Sequence, residues 1–223
     1  MEFFANVAKI LAKYWKVFFV TGVSYTLLLS VITVFFGAIL GVLIALCRDS
    51  KIAPIRWIIR AFVEVIRGTP MLLQLYVGVF LVPKLLTFSV SDFTSVCVAL
   101  VLNSAAYVSE VFRSGIQAVD RGQTEAARSL GLSSKQTFMK VVLPQAIKNI
   151  LPALGNEFIM IIKDTSLAST FFIGEVMTAC IVVKGNTYLT FECMFIVAII
   201  YFVLTFVLSK IFGSFERRLR ASD

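Results

Sequence analysis

The sequence predicts an all-α, polytopic membrane protein with about five transmembrane helices, and three observations predict it. Hydrophobic residues make up 59% of the 223 residues and charged ones only 15%, against about half and a quarter in soluble domains. No Asp, Glu, Lys or Arg interrupts the stretch from Val17 to Cys47, which is longer than the roughly 20 apolar residues that a bilayer-crossing helix needs. Apolar stretches recur at about 18–46, 55–86, 92–113, 146–172 and 190–212, separated by turn or polar residues. A signal peptide would have a shorter apolar region, roughly 7 to 15 residues, followed by a small-residue cleavage site, and the first stretch meets neither condition.

Ahead of the first span, residues 1–16 place Phe3, Phe4, Val7, Ile10, Leu11 and Tyr14 at helical spacing, with Lys9, Lys13 and Lys16 on a separate stripe. That pattern predicts an amphipathic helix on the membrane surface. Gly174 to Lys184 is apolar but too short to cross, which makes it a loop helix between the last two spans.

Charge sets the topology. Fourteen Lys and Arg fall on one side of these spans, in the groups around Arg48–Arg60, Arg113–Lys148 and Lys210–Arg220, and five on the other, Lys9, Lys13, Lys16, Lys84 and Lys184. Cytoplasmic loops retain cations, so the amino terminus is expected outside and the carboxyl terminus inside. Topology thus accounts for 21 Lys and Arg over 13 Asp and Glu without nucleic acid. Histidine is absent, which removes the commonest general base and metal ligand and leaves no basis for a zinc site or a Ser/His triad. Cys47, Cys97, Cys180 and Cys193 lie in or beside apolar spans without a CxxC pair and read as core residues. Neither metal nor cofactor is expected.

The longest hydrophilic stretch, 115–144, is therefore expected in the cytoplasm. Thr124–Leu130 and Ser133–Val142 each read as a short helix, the second with Ser133 as N-cap and Gln136 three residues on, a capping box. Gly131 between them suits a left-handed turn, and Pro144 opens the next helix, where a missing N–H costs little.

The sequence Glu125-Ala126-Ala127, Gly131, Val141 and Leu143-Pro144 resembles, ungapped, the EAA motif of binding-protein-dependent ABC transporter permeases. Arg67-Gly68-Thr69-Pro70, the run Leu151–Phe158, Lys163–Leu167 and Phe215–Leu219 resemble the polar amino acid uptake branch in order and spacing. Val141 stands where Ile is usual. The resemblance implies a type I ABC importer permease fold whose two short helices dock on a separate cytoplasmic ATP-binding subunit through Glu125, Ala126, Ala127, Arg128, Gly131, Leu143 and Pro144. It further implies a second permease subunit, identical or related, an extracytoplasmic solute-binding protein and an amino acid substrate. The chain has no GxxxxGK[ST] phosphate loop, so nucleotide chemistry is expected from another polypeptide, and the chain is not expected to be an enzyme.

Candidate solute contacts come from polar residues inside apolar spans. Glu157 and Asp164 are seven residues apart and share one helix face, and intramembrane acids usually face a pathway or a partner. The structural alternatives are pairing of Glu157 with Lys148 and of Asp164 with Lys163. Gly68-Thr69-Pro70 interrupts the second span, with Thr69 as N-cap and Pro70 at the first helical position; the new helix N-terminus would suit a carboxylate, or the break serves packing alone. Arg67 has Glu64 as an alternative partner three residues away. Asn103, Ser104 and Tyr107, with Gln74 and Tyr76, are small or amphipathic polar residues that more often join helices. A secondary transporter or channel would share these features but would not need the EAA-like loop, and a membrane enzyme would need a catalytic constellation that cannot be assembled here without histidine.

Overall fold

The structure is a computed structural model that describes residues 2–48, 50–86 and 89–220. Met1 of the expected amino-terminal helix lies outside the described residues, as do the side chains of Leu219 and Arg220 from the terminal motif and the charge count. The described residues form eight helices and no strand: α1 Glu2–Arg48, α2 Ala53–Gly68, α3 Met71–Leu85, α4 Asp92–Gln117, α5 Arg121–Ser129, α6 Ser134–Phe171, α7 Val176–Thr187 and α8 Thr190–Arg220. Three of them, α1, α4 and α8, are each long and apolar enough to cross a membrane. Two bent pairs, α2 with α3 at 113° and α6 with α7 at 44°, bring the count to five if each pair is one span.

The helix α4 is the centre: 72% of its most apolar window is buried, against 28% for α1 and for α8. Lipid tails are as apolar as leucine, so helices in a bilayer associate by close packing and hydrogen bonds, and small residues mark the contact. On α1 those residues are Thr26, Ser30, Thr33, Gly37 and Gly41, all buried, whereas Val31, Phe35, Ile39 and Leu43 face outward. The approach is close enough that a Cβ added at Gly41 would stand 2.6 Å from Val108 Cγ1 of α4. The helix α6 packs on the other side of α4, and α8 packs on α6, where Phe212 lies against Gly155.

A second cluster forms where Ile10 and Phe18 of α1 meet Val176, Cys180 and Val183 of α7 and Cys193 and Ile196 of α8. At its edge Glu175, fully buried, caps α7: its carboxylate accepts from Met177 N at 2.7 Å, Thr178 N at 2.6 Å and the Tyr201 hydroxyl of α8 at 2.7 Å. The loop helix expected between the last two spans is α7.

Two boundaries differ from expectation. Residues 2–16 are not a separate helix but run straight into the first span, through a wider turn at Lys16–Gly22. No breaker precedes Gly22, and Gly22 is itself packed against Val176. Likewise the second short cytoplasmic helix does not end before Pro144. It continues through a wide turn at Phe138–Val142 into the membrane helix, because Pro144 falls in the first turn after it, where the missing N–H leaves little unpaired.

Candidate functional site

The break between α2 and α3 follows from Pro70. A residue before proline is pushed out of the helical region, and Thr69 is extended at φ −118° and ψ 148°. The next helix therefore starts at Met71, with Pro70 itself in the capping position. This corrects the expected roles. Thr69 does not cap the new helix; its hydroxyl donates back to Val65 O at 2.8 Å. Pro70 sits one residue earlier than the first helical position. The open carbonyls at the end of α2 are filled by Gln74, whose amide donates to Ile66 O at 2.7 Å and Thr69 O at 3.1 Å. Gln74 Oε1 in turn accepts from Asn103 Nδ2 at 2.9 Å. Gln74 and Asn103 thus hold the bend against α4. Gly68 is exposed, with nothing within 4 Å of an added Cβ.

Ser104, next to Asn103 on α4, points elsewhere and donates to Glu157 Oε1 of α6 at 3.3 Å. Thr69, Gln74, Asn103, Ser104 and Glu157 therefore share one level of the bundle. Glu157 is half-buried, and Asp164 is half-buried two turns further along the same helix. Lys148, considered as a partner for Glu157, lies nine residues earlier on α6, about 13 Å along the axis. It lines a different recess of about 410 Å³ with Ser114 and Asn149. The hydrogen bond to Glu157 comes from a serine on another helix.

Arg67 also departs from expectation. Its partner is not Glu64 but Glu110 of α4, at 3.5 Å, and its guanidinium lies over the Tyr107 ring at 5.6 Å. Glu110 receives Arg48 from the end of α1 and Arg113 from its own helix at 2.6 Å as well. One carboxylate thus ties together the ends of α1, α2 and α4. Sequence reading missed both Glu110 and Glu175; the available signal was an acid near the cation-rich end of an apolar helix and an acid just ahead of a short apolar one.

The cytoplasmic loop forms a helical hairpin. Asp120 caps α5 by accepting from Gly122 N at 2.8 Å, so the helix starts three residues before Thr124. At its end Gly131 has φ +84°, and Leu132 N returns to Ala127 O at 3.2 Å, the closure that a left-handed residue permits. Arg128 donates to Leu132 O at 2.7 Å and so belongs to the turn. The capping box forms, with Gln136 N to Ser133 Oγ at 3.3 Å and Ser133 N to Gln136 Oε1 at 2.9 Å. Of the two alanines, Ala127 is buried under the hairpin and Ala126 is exposed beside Glu125. Leu130 at the tip is 84% exposed, an apolar side chain that water does not favour. Leu143 is half-buried and Pro144 exposed at the foot of the hairpin.

Residues 34–221 match the family model of the binding-protein-dependent transport system inner membrane component. The arginine transport system permease protein ArtQ of Bacillus subtilis is 40% identical, over 92% of this chain and 94% of that protein. The L-cystine transport system permease protein TcyB of the same organism is 38% identical, over 89% of this chain and 85% of its own length. Among solved structures, an amino acid ABC transporter crystallised with histidines matches with a TM-score of 0.89 and 43% identity, over 93% of this chain and 96% of that one. The MetNI methionine ABC transporter in an inward-facing conformation matches with a TM-score of 0.72 at 20% identity, over 91% of this chain and 96% of that one, a likeness of fold.

Proposed function

The chain belongs to the family of binding-protein-dependent transport system inner membrane components, and from that premise we propose that it carries a polar amino acid across the cytoplasmic membrane. It is the permease subunit of an ATP-binding-cassette importer, and a separate cytoplasmic subunit hydrolyses the ATP. A solute-binding protein on the outer side delivers the substrate. A second permease subunit, a copy of this chain or a relative, completes the path. The distribution of Lys and Arg supports an amino terminus outside and a carboxyl terminus in the cytoplasm.

The observation that carries this reading is the hairpin. A fixed left-handed turn at Gly131 presents Glu125, Ala126 and Leu130 to solvent, while α6 continues from the same hairpin into the bundle. Such a surface has a use only if a partner covers it. Within the bundle, Glu157 and Asp164 support a solute with a cationic group: an intramembrane acid costs about 2.5 to 3.5 kcal/mol on insertion scales, and a passing ammonium or guanidinium offsets part of that. The bend at Gly68, Thr69 and Pro70 borders the same level, with Gln74 and Asn103 as its frame.

The test is purification with the ATP-binding subunit, followed by uptake of a panel of labelled amino acids into vesicles with the binding protein supplied. ATP-dependent uptake of at least one basic or polar amino acid is expected. Glu125→Lys should weaken retention of the ATP-binding subunit at unchanged membrane abundance. Uptake that proceeds equally without ATP would instead identify a secondary transporter.

A further inference from the structure

The helix α2 has an amphipathic pattern that its own bundle does not use up. Val63 is buried and Ile59 and Ile66 are partly buried, on the side that meets α1 and α4. Two flanks remain open. Ile58 and Val65, 62% and 61% exposed, stand on one of them; Arg60, Glu64 and Arg67, also exposed, stand on the other. At 100° per residue the flanks are roughly 145° apart. Trp57, 75% exposed, borders the polar flank.

The helix also lies across the bundle. The Gln74–Asn103 bond, and a Cβ added at Gly78 standing 3.2 Å from Ala99, show that α3 runs antiparallel to α4. Against α3 the axis of α2 is turned by 113°, which is 23° past the perpendicular. Its depth is fixed by Arg67 on Glu110, the same carboxylate that holds Arg48 at the end of α1. A helix set crosswise near the ends of two spans, apolar on one flank and basic on the other, with a tryptophan at the border, matches the layering of a membrane interface.

We propose that α2 lies in the plane of the cytoplasmic leaflet, with Ile58 and Val65 among the acyl chains and Lys51, Arg56 and Arg60 on the phosphates of anionic lipids. The choice of leaflet rests on the orientation proposed above. A protein partner would bury a continuous apolar face with charges at its rim; opposed apolar and basic flanks suit a surface that is apolar at depth and anionic outside. Lys51 and Arg60 are exposed, and Arg56 folds back on Ser50 O at 3.2 Å, within reach of the same layer. Through Gln74 the interfacial helix also supports the bend beside Asn103.

The test uses the assembled importer in vesicles of phosphatidylcholine with or without phosphatidylglycerol. Ile58→Cys and Arg60→Cys are labelled singly with an environment-sensitive fluorophore in a Cys47→Ser background, the other three cysteines being buried. Lipids brominated in the acyl chain should quench the label at 58, and aqueous iodide should quench the label at 60 from the side that carries the ATP-binding subunit. Uptake should rise with phosphatidylglycerol, and Lys51→Gln with Arg60→Gln should remove that rise, each side chain contributing at most about fivefold. A label at 58 beyond the reach of brominated lipid overturns the interfacial helix and leaves the orientation standing. Quenching at 60 only from the opposite side overturns the orientation and the leaflet together. Equal uptake in both lipids, at equal incorporation, overturns the headgroup contact.

Discussion

The cytoplasmic hairpin and the buried level around Glu157 are built by opposite means. In the hairpin most of the fixing bonds are local: Ser133 to Gln136, Asp120 to Gly122, Leu132 to Ala127, Arg128 to Leu132, with Gln145 to Gln123 joining its two helices. In the bundle the deciding bonds span the chain, with Arg48 on Glu110, Gln74 on Asn103 and Ser104 on Glu157. The first region is a turn whose outer side chains stay exposed, and the second is a set of polar groups that satisfy one another between apolar helices. Damage to the bundle should therefore cost stability, whereas damage to the hairpin should cost communication.

The largest effect is expected where the bundle is tightest. Gly41→Val places methyl groups where a Cβ alone would be 2.6 Å from Val108, and overpacking of this kind costs typically about 1 to 3 kcal/mol, sometimes more. Membrane abundance and the thermal midpoint should both fall sharply, while Gly185→Ala, with nothing within 4 Å, should change neither. Comparable losses in the two variants would mean that α1 and α4 are not in close contact.

Next comes Glu157→Gln, which keeps shape and the bond to Ser104 but removes charge. Uptake of a cationic substrate should drop at least about tenfold, equivalent to ~1.4 kcal/mol, with abundance unchanged. Full uptake would take Glu157 out of the path, and loss of folding in its place would make the acid structural.

Gly131→Val sharpens the other half of the comparison. A β-branched residue at φ +84° is strained, by about 1 to 2 kcal/mol, yet the site is open to solvent with nothing within 4 Å. Abundance should stay normal while substrate-stimulated ATP hydrolysis is lost; normal stimulation would show that the turn can be reshaped without consequence for coupling. The smallest effect is expected for Ser133→Ala, the loss of one helix cap, worth about 1 kcal/mol. Faster hydrogen exchange should be confined to the first turn of α6, with uptake reduced severalfold or less.

The same division governs what the amino-acid sequence discloses. Capping residues, a glycine at a left-handed position and a proline that breaks a span act on their immediate neighbours, so Ser133, Gln136, Gly131 and Thr69-Pro70 were legible one by one. The apolar stretches were legible because bilayer thickness sets their length. Glu110 and Glu175 were not, since their partners Arg48 and Tyr201 lie 62 and 26 residues away and are brought in by tertiary packing. Thr69 was misassigned for a related reason: Gln74, five residues on, supplies the amide that fills the open carbonyls, and the threonine hydroxyl turns back to Val65. The two junctions at Lys16 and Pro144 were read as ends because the last lysine of the amino-terminal stripe stands just before the charge-free stretch and a proline usually opens a helix, and wide turns carry the helix past both.

The continuity of α6 past Pro144 has a mechanical consequence. From Ser134 to Glu157 the chain is one continuous helix, about 35 Å long at 1.5 Å per residue, with the exposed hairpin at one end and a carboxylate of the bundle at the other. On the α5 side the chain reverses at the fixed turn of Gly131; on the α6 side it runs on as helix, through the wide turn at Phe138–Val142 and past Pro152. Force applied at the hairpin would reach Glu157 along this helix, by tilting it against its contacts with α4 and α8. A tilt of about 5° over that length swings one end by roughly 3 Å relative to the other, as much as the bond between Ser104 and Glu157 spans. The serine on α4 then acts as a detent, and the lever that trips it is the helix itself.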